Sequence, residues 1–290
     1  MANTILITGA TGHQGGAVLR HLASRGGFRL RAMTRKPEGD AAKKLATLGA
    51  EIVKGDYDEP GSVERALEGA WGVFAVQNTW EAGVEKEEEQ GKQFAKLAKE
   101  RGVRHFVYTS VGSAHRSTGI PHFDNKYRVE QTVKAMGFPS HVIIRPVFFM
   151  ENLLGPWFLQ GDKLVTAMDP ATKLQMIAVD DIGKFGALAF QQAEKLAGQE
   201  IDIAGDSVTM PEAAAAIGRT LGRPITYQRI PIEAVRANSA DFAIMLEWFE
   251  RVGYDADIPT LEARYGIRPR TFEEWLKTIP TESGERSLGG

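Results

Sequence analysis

The fold is decided at residues 4–16, where the chain reads TILITGATGHQGG. The segment from Thr4 to Ile7 is β-branched or aliphatic, which predicts a short buried strand. Glycines then recur up to Gly16, and apolar residues at helical spacing follow from Val18 to Leu22. The stretch therefore predicts a strand, a tight glycine turn and a helix in direct succession.

The same alternation of strand and helix continues to about Pro146. The predicted helices lie near residues 41–48, 63–68, 84–101 and 124–135, and the predicted strands at 4–7, 29–33, 51–53, 73–76, 105–109 and 142–144. Strands that alternate with helices indicate a parallel sheet covered on both faces, joined by right-handed crossovers. We predict an α/β fold with a doubly wound parallel sheet of the Rossmann type over residues 1–150.

After Pro146 the pattern becomes mixed. The stretches 209–212 and 271–274 fit the T-x-x-E capping box, and Asp180 or Asp181 is expected to cap the helix that runs through Phe185 and Leu188. Apolar runs near 175–179, 201–204 and 225–230 predict isolated strands, of which the one near 201–204 can join the main sheet. We assign 151–282 to a smaller mixed α/β lobe for a substrate or partner, and 283–290 to a loose tail.

The composition excludes several classes of protein. The 290 residues include 35 Lys and Arg against 37 Asp and Glu, a net charge of −2 that argues against nucleic-acid binding. With no cysteine, disulfides and thiolate metal sites are excluded, and the six histidines lack the spacing of a metal site. Without a signal peptide or an apolar run of the ~18–20 residues that a spanning helix needs, we expect a cytoplasmic protein that does not enter a membrane.

The glycine turn predicts a dinucleotide site. Gly9, Gly12 and Gly15 give the spacing G-x-x-G-x-x-G between a strand and a helix. Such a turn lets the backbone approach a diphosphate, whose charge is favoured by the N–H groups and dipole at the helix start. The residues expected to contact it are Gly9, Ala10, Thr11, Gly12, His13, Gln14 and Gly15.

The end of the second strand indicates which dinucleotide binds. An Asp or Glu at this point commonly holds the ribose 2′-hydroxyl of NAD(H). This chain has Arg35 and Lys36 instead, and a guanidinium can pair with a 2′-phosphate. We therefore expect NADP(H), with NAD(H) as the alternative.

Two further strand ends carry polar residues that can meet the cofactor. Asp56 follows the third strand and can accept from the adenine amino group, although a turn Asp is the competing interpretation. Gln77, Asn78 and Thr79 follow the fourth strand and can line a ribose. By contrast, the charged run 85–89 is predicted to be the solvated face of a helix, with Glu88 paired to Lys92.

Together these motifs resemble the NmrA-like family of atypical short-chain dehydrogenases/reductases. The resemblance spans most of residues 3–280. It rests on TGATGxxGG from Thr8, the Arg35 turn, Gly55-Asp56, PHFDNK at 121–126, VIIRP and FMEN within 142–152, and the region 208–224.

The resemblance implies NADP(H) contacts from Lys126 and from Phe149, Met150, Glu151 and Asn152. It also implies a catalytic comparison, because typical reductases of this superfamily carry a Ser and a Tyr-x-x-x-Lys motif. Here Ser110 and Lys126 occupy the Ser and Lys positions, but the Tyr position is His122. The candidate catalytic residues are therefore Lys126, His122 and Ser110.

For two of these residues a structural role stays open. His122 can donate a proton, or it can simply pack at a helix start and bond to backbone. Ser110 can hold a substrate oxygen, or it can be a turn residue at the end of its strand.

Two functions also stay open. The family includes regulators that bind the dinucleotide and sense its redox state. The missing Tyr favours that function, in which the conformation of the protein depends on the bound cofactor. The alternative is an NADPH-dependent reductase that transfers hydride to a quinone or carbonyl substrate, which Lys126 favours. The expected partners are NADP(H) and a small quinone or carbonyl substrate or a protein, with no nucleic acid and no membrane.

Overall fold

The computed structural model describes residues 2–280, so the predicted tail at 283–290 lies outside the described residues. The strands in chain order are β1 (Thr4–Ile7), β2 (Arg29–Thr34), β3 (Glu51–Lys54), β4 (Gly72–Ala75), β5 (His105–Thr109), β6 (Ser140–Pro146), β7 (Phe148–Phe149), β8 (Leu159–Gln160), β9 (Lys163–Thr166), β10 (Lys173–Ile177), β11 (Glu200–Ile203), β12 (Asp206–Thr209) and β13 (Thr226–Arg229).

The helices are α1 (His13–Arg25), α2 (Asp40–Ala46), α3 (Pro60–Leu67), α4 (Thr79–Ala82), α5 (Val84–Glu100), α6 (Pro121–Ala135), α7 (Val179–Gln191), α8 (Met210–Leu221), α9 (Ile232–Asn238), α10 (Ala240–Arg251), α11 (Ile258–Tyr265) and α12 (Phe272–Leu276). Two 3₁₀ turns lie at Ala114–Arg116 and Met150–Leu154. Within residues 2–280, no helix is both long and apolar enough to cross a membrane.

The main sheet has seven parallel strands in the order β3-β2-β1-β4-β5-β6-β11. The predicted doubly wound Rossmann-type sheet is confirmed. Because β1 and β4 are neighbours, the strand order reverses between them, and their carboxyl ends meet at the position where such folds bind ligands.

Close helix packing covers one face of this sheet. A Cβ at Gly183 would lie 2.8 Å from Ala17, and one at Gly186 would lie 2.4 Å from a Val18 methyl group. These two glycines of α7 therefore let it approach α1 directly, which sets the position of the helix that follows the glycine turn.

Helix starts agree with the sequence at some places and differ at others. Both predicted capping boxes are present, at Thr209 and at Thr271. The cap predicted at Asp180 or Asp181 is wrong: the N-cap of α7 is Ala178, and both aspartates lie in the first turn. Helix α6 begins at Pro121, earlier than predicted, because proline suits the first helical position, where no N–H partner is needed.

The C-terminal region adds two small sheets and a second core. The sheets have the orders β12-β10-β7 and β13-β9-β8, whereas β11 lies at the edge of the main sheet. Buried residues of α8, α10 and α12 form the second core with the strands beside them. The two cores meet at β7, where Phe148 belongs to the second core and Phe149 packs against the core of the main sheet.

Candidate functional site

The turn after β1 is fastened to the end of β4. Gly9 takes a φ of +56°, and the Gly12 N–H donates to the Gly9 carbonyl at 2.9 Å. The Thr8 hydroxyl donates to the Phe74 carbonyl at 3.1 Å and accepts the Val76 N–H at 3.0 Å. The turn is therefore held at the point where the strand order reverses.

Two glycines of this turn have different roles. A Cβ at Gly15 would lie 2.5 Å from the carbonyl oxygens of Gly9 and Thr8, and backbone atoms cannot move aside cheaply. A Cβ at Gly12 would lie 3.4 Å from its nearest neighbour. Gly15 is thus required by packing, whereas Gly12 leaves the exposed surface of the turn without a side chain.

The start of α1 faces an open cavity of about 360 Å³. Its N-cap, Gly12, has no side chain to bond the first N–H groups, and the first turn contains no acidic residue. Such N–H groups and the positive end of the helix dipole favour a phosphate, so the residues fit the diphosphate of a dinucleotide. The cavity is lined by Thr11, Gly12, His13, Arg20, Glu151, Val179 and Asp180.

Two carboxyl groups line the same cavity, and one of them is paired with basic side chains. Asp180 accepts from Arg270 at 2.8 Å and lies 2.9 Å from Nε2 of His21. Glu151 accepts the Val179 N–H at 2.9 Å through Oε1, while its buried Oε2 has no partner within residues 2–280. Burial raises the pKa of Glu151 above its ordinary value.

The segment from Phe149 to Asn152 approaches this cavity at one residue. Glu151 lines it, whereas the Met150 side chain is fully buried in the second core and Asn152 is exposed. Contacts from the other three residues to a cofactor stay a prediction.

The residues expected near the adenosine are at solvent. The Arg35 guanidinium pairs with Glu81 of α4, and their side chains are 58% and 52% exposed. Lys36 follows in the same exposed loop. The Asp56 carboxylate accepts the Asp58 N–H at 3.0 Å, which is the turn role that competes with adenine binding.

The polar residues after β4 bond to the protein itself. Gln77 donates to the Tyr57 hydroxyl at 2.9 Å, and its Oε1 is buried with no partner in the described chain. Asn78 accepts the Trp80 N–H at 3.1 Å and so caps α4, while Thr79 donates to a carboxylate of α5. Their observed role is to hold the loop that leads into α4.

That carboxylate belongs to Glu87, and the predicted solvated face is wrong at this residue. Glu87 is only 1% exposed, because α5 packs against α6 and turns it inward. It accepts hydrogen bonds from Lys126, Thr79 and Asn125. Burial would raise the pKa of Glu87, but the charge and hydrogen bond of Lys126, with the other two bonds, hold it below its usual value.

The next carboxylate, Glu88, forms the pair with Lys92 that the sequence predicts. Glu88 pairs with Lys92 at 2.6 Å, and it also pairs with Arg128 of α6.

His122 lies in the first turn of α6, one helical turn before Lys126. Its Nδ1 bonds to the Asp241 carboxylate, and its backbone N–H donates to the same carboxylate at 3.1 Å. The Trp80 ring lies over it, with ring centroids 5.1 Å apart. The partner of His122 is therefore a side chain from α10 that no local sequence pattern indicates.

Ser110 follows β5 with a buried hydroxyl that has no partner within residues 2–280. The adjacent Thr109 hydroxyl donates to Gln14 of α1 at 2.6 Å. A buried hydroxyl without a partner costs free energy, and a ligand oxygen at this edge of the sheet would satisfy it.

The structure thus brings the predicted residues together in three places. Thr11, Gly12 and His13 line the cavity with Glu151, Arg35 and Lys36 share an exposed loop, and Lys126 and His122 lie on one face of α6. Sequence reasoning missed five residues: Arg20, Trp80, Glu81, Glu87 and Asp241. Arg20 had a signal, since it lies one helical turn after Gly16, but Asp241 had none.

The sheet and its glycine turn define a protein of the Rossmann class. The chain belongs to the NmrA-like family, whose family model matches residues 1–276. A relative from Dictyostelium discoideum, an NmrA-like family domain-containing protein, is 28% identical and covers 96% of this chain and 98% of its own length. The (4-alkanoyl-5-oxo-2,5-dihydrofuran-3-yl)methyl phosphate reductase of Streptomyces griseus subsp. griseus is 29% identical, over 93% of this chain and 96% of its own.

Solved structures with the same fold include a reductase and a regulator. The NADPH-dependent quinone oxidoreductase of Escherichia coli, in complex with NADPH, has a TM-score of 0.77 at 24% identity, over 94% of this chain and 98% of its own. NmrA, a negative transcriptional regulator, in complex with NAD, has a TM-score of 0.76 at 20% identity, over 96% and 95%. At these identities the likeness concerns the fold.

Proposed function

We propose that the protein is an NADP(H)-dependent oxidoreductase that reduces a quinone or carbonyl acceptor. The observation that carries the proposal is the buried Lys126–Glu87 pair, with His122 one turn earlier on the same helix. Residues four apart share a helix face, so the cation and the imidazole face the same region. Buried charges of this kind are costly to keep, and they cluster where proton transfer is needed.

The cofactor proposal rests on the glycine turn. The backbone N–H groups at the start of α1 and the Arg20 side chain suit a diphosphate, and Arg35 with Lys36 suits the 2′-phosphate of NADP(H). The bound dinucleotide would supply the hydride. The residues proposed to contact it are Gly9, Ala10, Thr11, Gly12, His13, Gln14, Gly15, Arg35, Lys36, Asp56, Gln77, Asn78, Thr79, Lys126, Phe149, Met150, Glu151 and Asn152.

At the acceptor end, the chain's own residues hold and move protons. Lys126, anchored by Glu87, would orient the cofactor ribose and favour negative charge on an acceptor oxygen. The buried Ser110 hydroxyl, which has no partner among the described residues, can donate to the same oxygen. The names of the Streptomyces and Escherichia coli proteins, both reductases, support this function for the present chain.

NADPH oxidation against a panel of quinones and carbonyls tests the proposal. We expect turnover above background that falls at least about 100-fold in Lys126→Ala, the lower range for a positioned catalytic group. Lys92→Ala is the matched control, since Lys92 pairs with Glu88 on the outside of α5. No turnover with any acceptor, or equal loss in both variants, would contradict the proposal.

A second function, sensing of the bound dinucleotide, is favoured by the Arg35–Glu81 pair. A 2′-phosphate at Arg35 would compete with Glu81, which lies on α4 beside Trp80, a side chain that is 63% exposed. Cofactor binding would then alter the surface around α4, which a protein partner can read.

Hydrogen exchange of residues 78–84 tests this sensing function. It predicts that NADP(H) changes exchange there more than NAD(H) does, because only NADP(H) carries the 2′-phosphate, and that Glu81→Gln removes much of the difference. The same exchange with NADP(H) and NAD(H) would contradict sensing through the Arg35–Glu81 pair.

A further inference from the structure

One carboxylate from the C-terminal region binds His122 at two points. Asp241 lies in the first turn of α10, 119 residues from His122 in the chain, and accepts from both the backbone N–H and Nδ1 of His122. The His122 side chain is 8% exposed and that of Asp241 is 17% exposed. The ring is therefore held in one orientation by a charged partner that is itself largely shielded.

The position of this ring is that of a proton donor. His122 precedes Lys126 by one helical turn, where a Tyr stands in the typical reductases that this chain resembles. With Nδ1 bonded to Asp241, the nitrogen left to meet a substrate is Nε2, for which the described chain gives no hydrogen-bond partner. A carboxylate on one imidazole nitrogen sets the tautomer and offsets the charge that the ring carries as an acid.

A row of aromatic side chains begins beside the ring, where Trp80 lies 5.1 Å from His122, and continues into the C-terminal region. The Trp80 and Phe242 rings lie 6.1 Å apart, and Phe242 lies 6.1 Å from Phe158. Flat apolar faces beside a proton donor suit a planar unsaturated acceptor, since aromatic rings prefer offset or edge contacts at such separations.

We propose that Asp241 is a positioning residue that holds His122 as the proton donor to a planar quinone or enone acceptor. This inference rests on the reductase function proposed above. The acceptor gains two electrons as a hydride from the reduced nicotinamide dinucleotide. His122 acts as the imidazolium: the acceptor oxygen that becomes negative takes its Nε2 proton, the neutral ring keeps its Nδ1 proton on Asp241, and Nε2 regains a proton from solvent.

A purely structural role for Asp241 makes a different prediction. The N-cap residue of α6 is Ile120, whose side chain cannot accept a hydrogen bond. Asp241 therefore also caps the start of α6, because it accepts the free N–H of His122. Asp241→Asn keeps an oxygen for that N–H but loses the charge, so a cap alone would tolerate it.

The test compares two kinds of acceptor in the full chain with saturating NADPH. A quinone needs a hydride and a proton, whereas a cationic triarylmethane dye needs the hydride alone, because it has no oxygen to protonate. We expect the ratio of quinone to dye turnover to fall about 100-fold in His122→Asn and about 10-fold in Asp241→Asn, within the range of general acid catalysis. Asp241→Glu should recover part of the loss.

Matched controls are His115→Asn and Asp257→Ala, since both side chains are exposed and lie outside the site. They should leave the ratio within about two-fold of the native value, as expected for surface changes away from the site.

A second measurement does not depend on turnover. Nitrogen NMR of the dinucleotide-free protein, at a pH where the histidine rings are neutral, should find the single proton of His122 at Nδ1 in the native chain. In Asp241→Ala the proton should move towards Nε2, because the bond that selects the tautomer is lost.

The outcomes separate the two proposals. If the native chain reduces both acceptors and the ratio is unchanged in His122→Asn, the inference is overturned while the reductase function stands. If no acceptor is reduced, both are overturned. An unchanged tautomer in Asp241→Ala would refute the positioning role of Asp241.

Discussion

The glycine turn and the acceptor end of the site are built in different ways. At residues 8–16 the shape lies in the backbone: a positive φ at Gly9, a carbonyl in contact with Gly15, and N–H groups at a helix start. At the acceptor end the shape lies in side-chain pairs, His122 with Asp241 and Lys126 with Glu87, drawn from three helices.

Cofactor binding and chemistry are thus proposed to depend on two different kinds of structure, the backbone of the turn and the side-chain pairs. A backbone site depends on few side chains, so under the proposed function the turn would bind the diphosphate whatever the rest of the chain does. The acceptor end depends on charged pairs that single substitutions can remove. Under the proposed function, the chemistry would therefore depend on α5, α6 and α10, and cofactor binding on β1 and α1.

The largest expected effect is that of breaking a buried pair. Lys126→Met leaves the Glu87 carboxylate, 1% exposed, without its cation. We expect a loss of about 3 kcal/mol in the free energy of unfolding at pH 7, the scale for a buried pair that loses one partner. Chemical denaturation measures it, with Lys92→Met as the control, for which we expect a loss below about 1 kcal/mol.

The same variant has a pH signature. In the native chain the pKa of Glu87 lies below its ordinary value of 4.5, so its contribution is full above pH 4.5 and is lost as the pH falls through the lowered value. In Lys126→Met, burial of Glu87 is no longer offset by a cation, so this carboxylate takes up a proton more readily. The difference in the free energy of unfolding between the native chain and the variant should therefore shrink as the pH falls. A deficit that stays constant from pH 7 to pH 4 would contradict the pairing.

Substitutions of Gly12 and Gly15 test the backbone part of this comparison. Gly15→Ala forces a Cβ to 2.5 Å from two carbonyl oxygens, so we expect a loss of about 2 kcal/mol of stability together with cofactor binding. Gly12→Ala has 3.4 Å of space and should fold normally, yet its methyl group stands where the backbone must approach a phosphate.

Thermal unfolding and calorimetric titration with NADPH measure both glycine variants. Gly61→Ala of α3, with its nearest neighbour at 3.7 Å, is the control and should change neither quantity. Native affinity in Gly12→Ala would mean that the diphosphate does not lie against this turn.

The sequence predicts the features that depend on residues close together in the chain, and it does not predict those that depend on distant contacts. The glycine turn, the capping boxes and the parallel sheet were predicted because each depends on residues close together in the chain. The inward direction of Glu87 depends on how α5 packs against α6, and a row of charges cannot reveal it. Asp241 reaches His122 across 119 residues, so no local pattern could have indicated that contact.

The smallest expected effects concern the choice of dinucleotide. Arg35→Asp should lower the preference for NADPH over NADH by about 30-fold, since a charge-assisted bond to the 2′-phosphate is lost. Glu81→Gln removes a competitor for Arg35 and should raise NADPH affinity about two-fold, because the pair is exposed.

Fluorescence titration with both cofactors measures these changes. If the native protein binds NADPH and NADH equally, Arg35 does not recognise a 2′-phosphate, and the assignment to NADP(H) is wrong.

The most direct test of the proposed site is a crystal structure of the protein with NADPH bound. The diphosphate should lie on the N–H groups of residues 12–15, and the nicotinamide ring should lie beside Lys126, His122 and Ser110. A diphosphate bound elsewhere, or a nicotinamide ring directed away from Lys126 and His122, would contradict the proposed site.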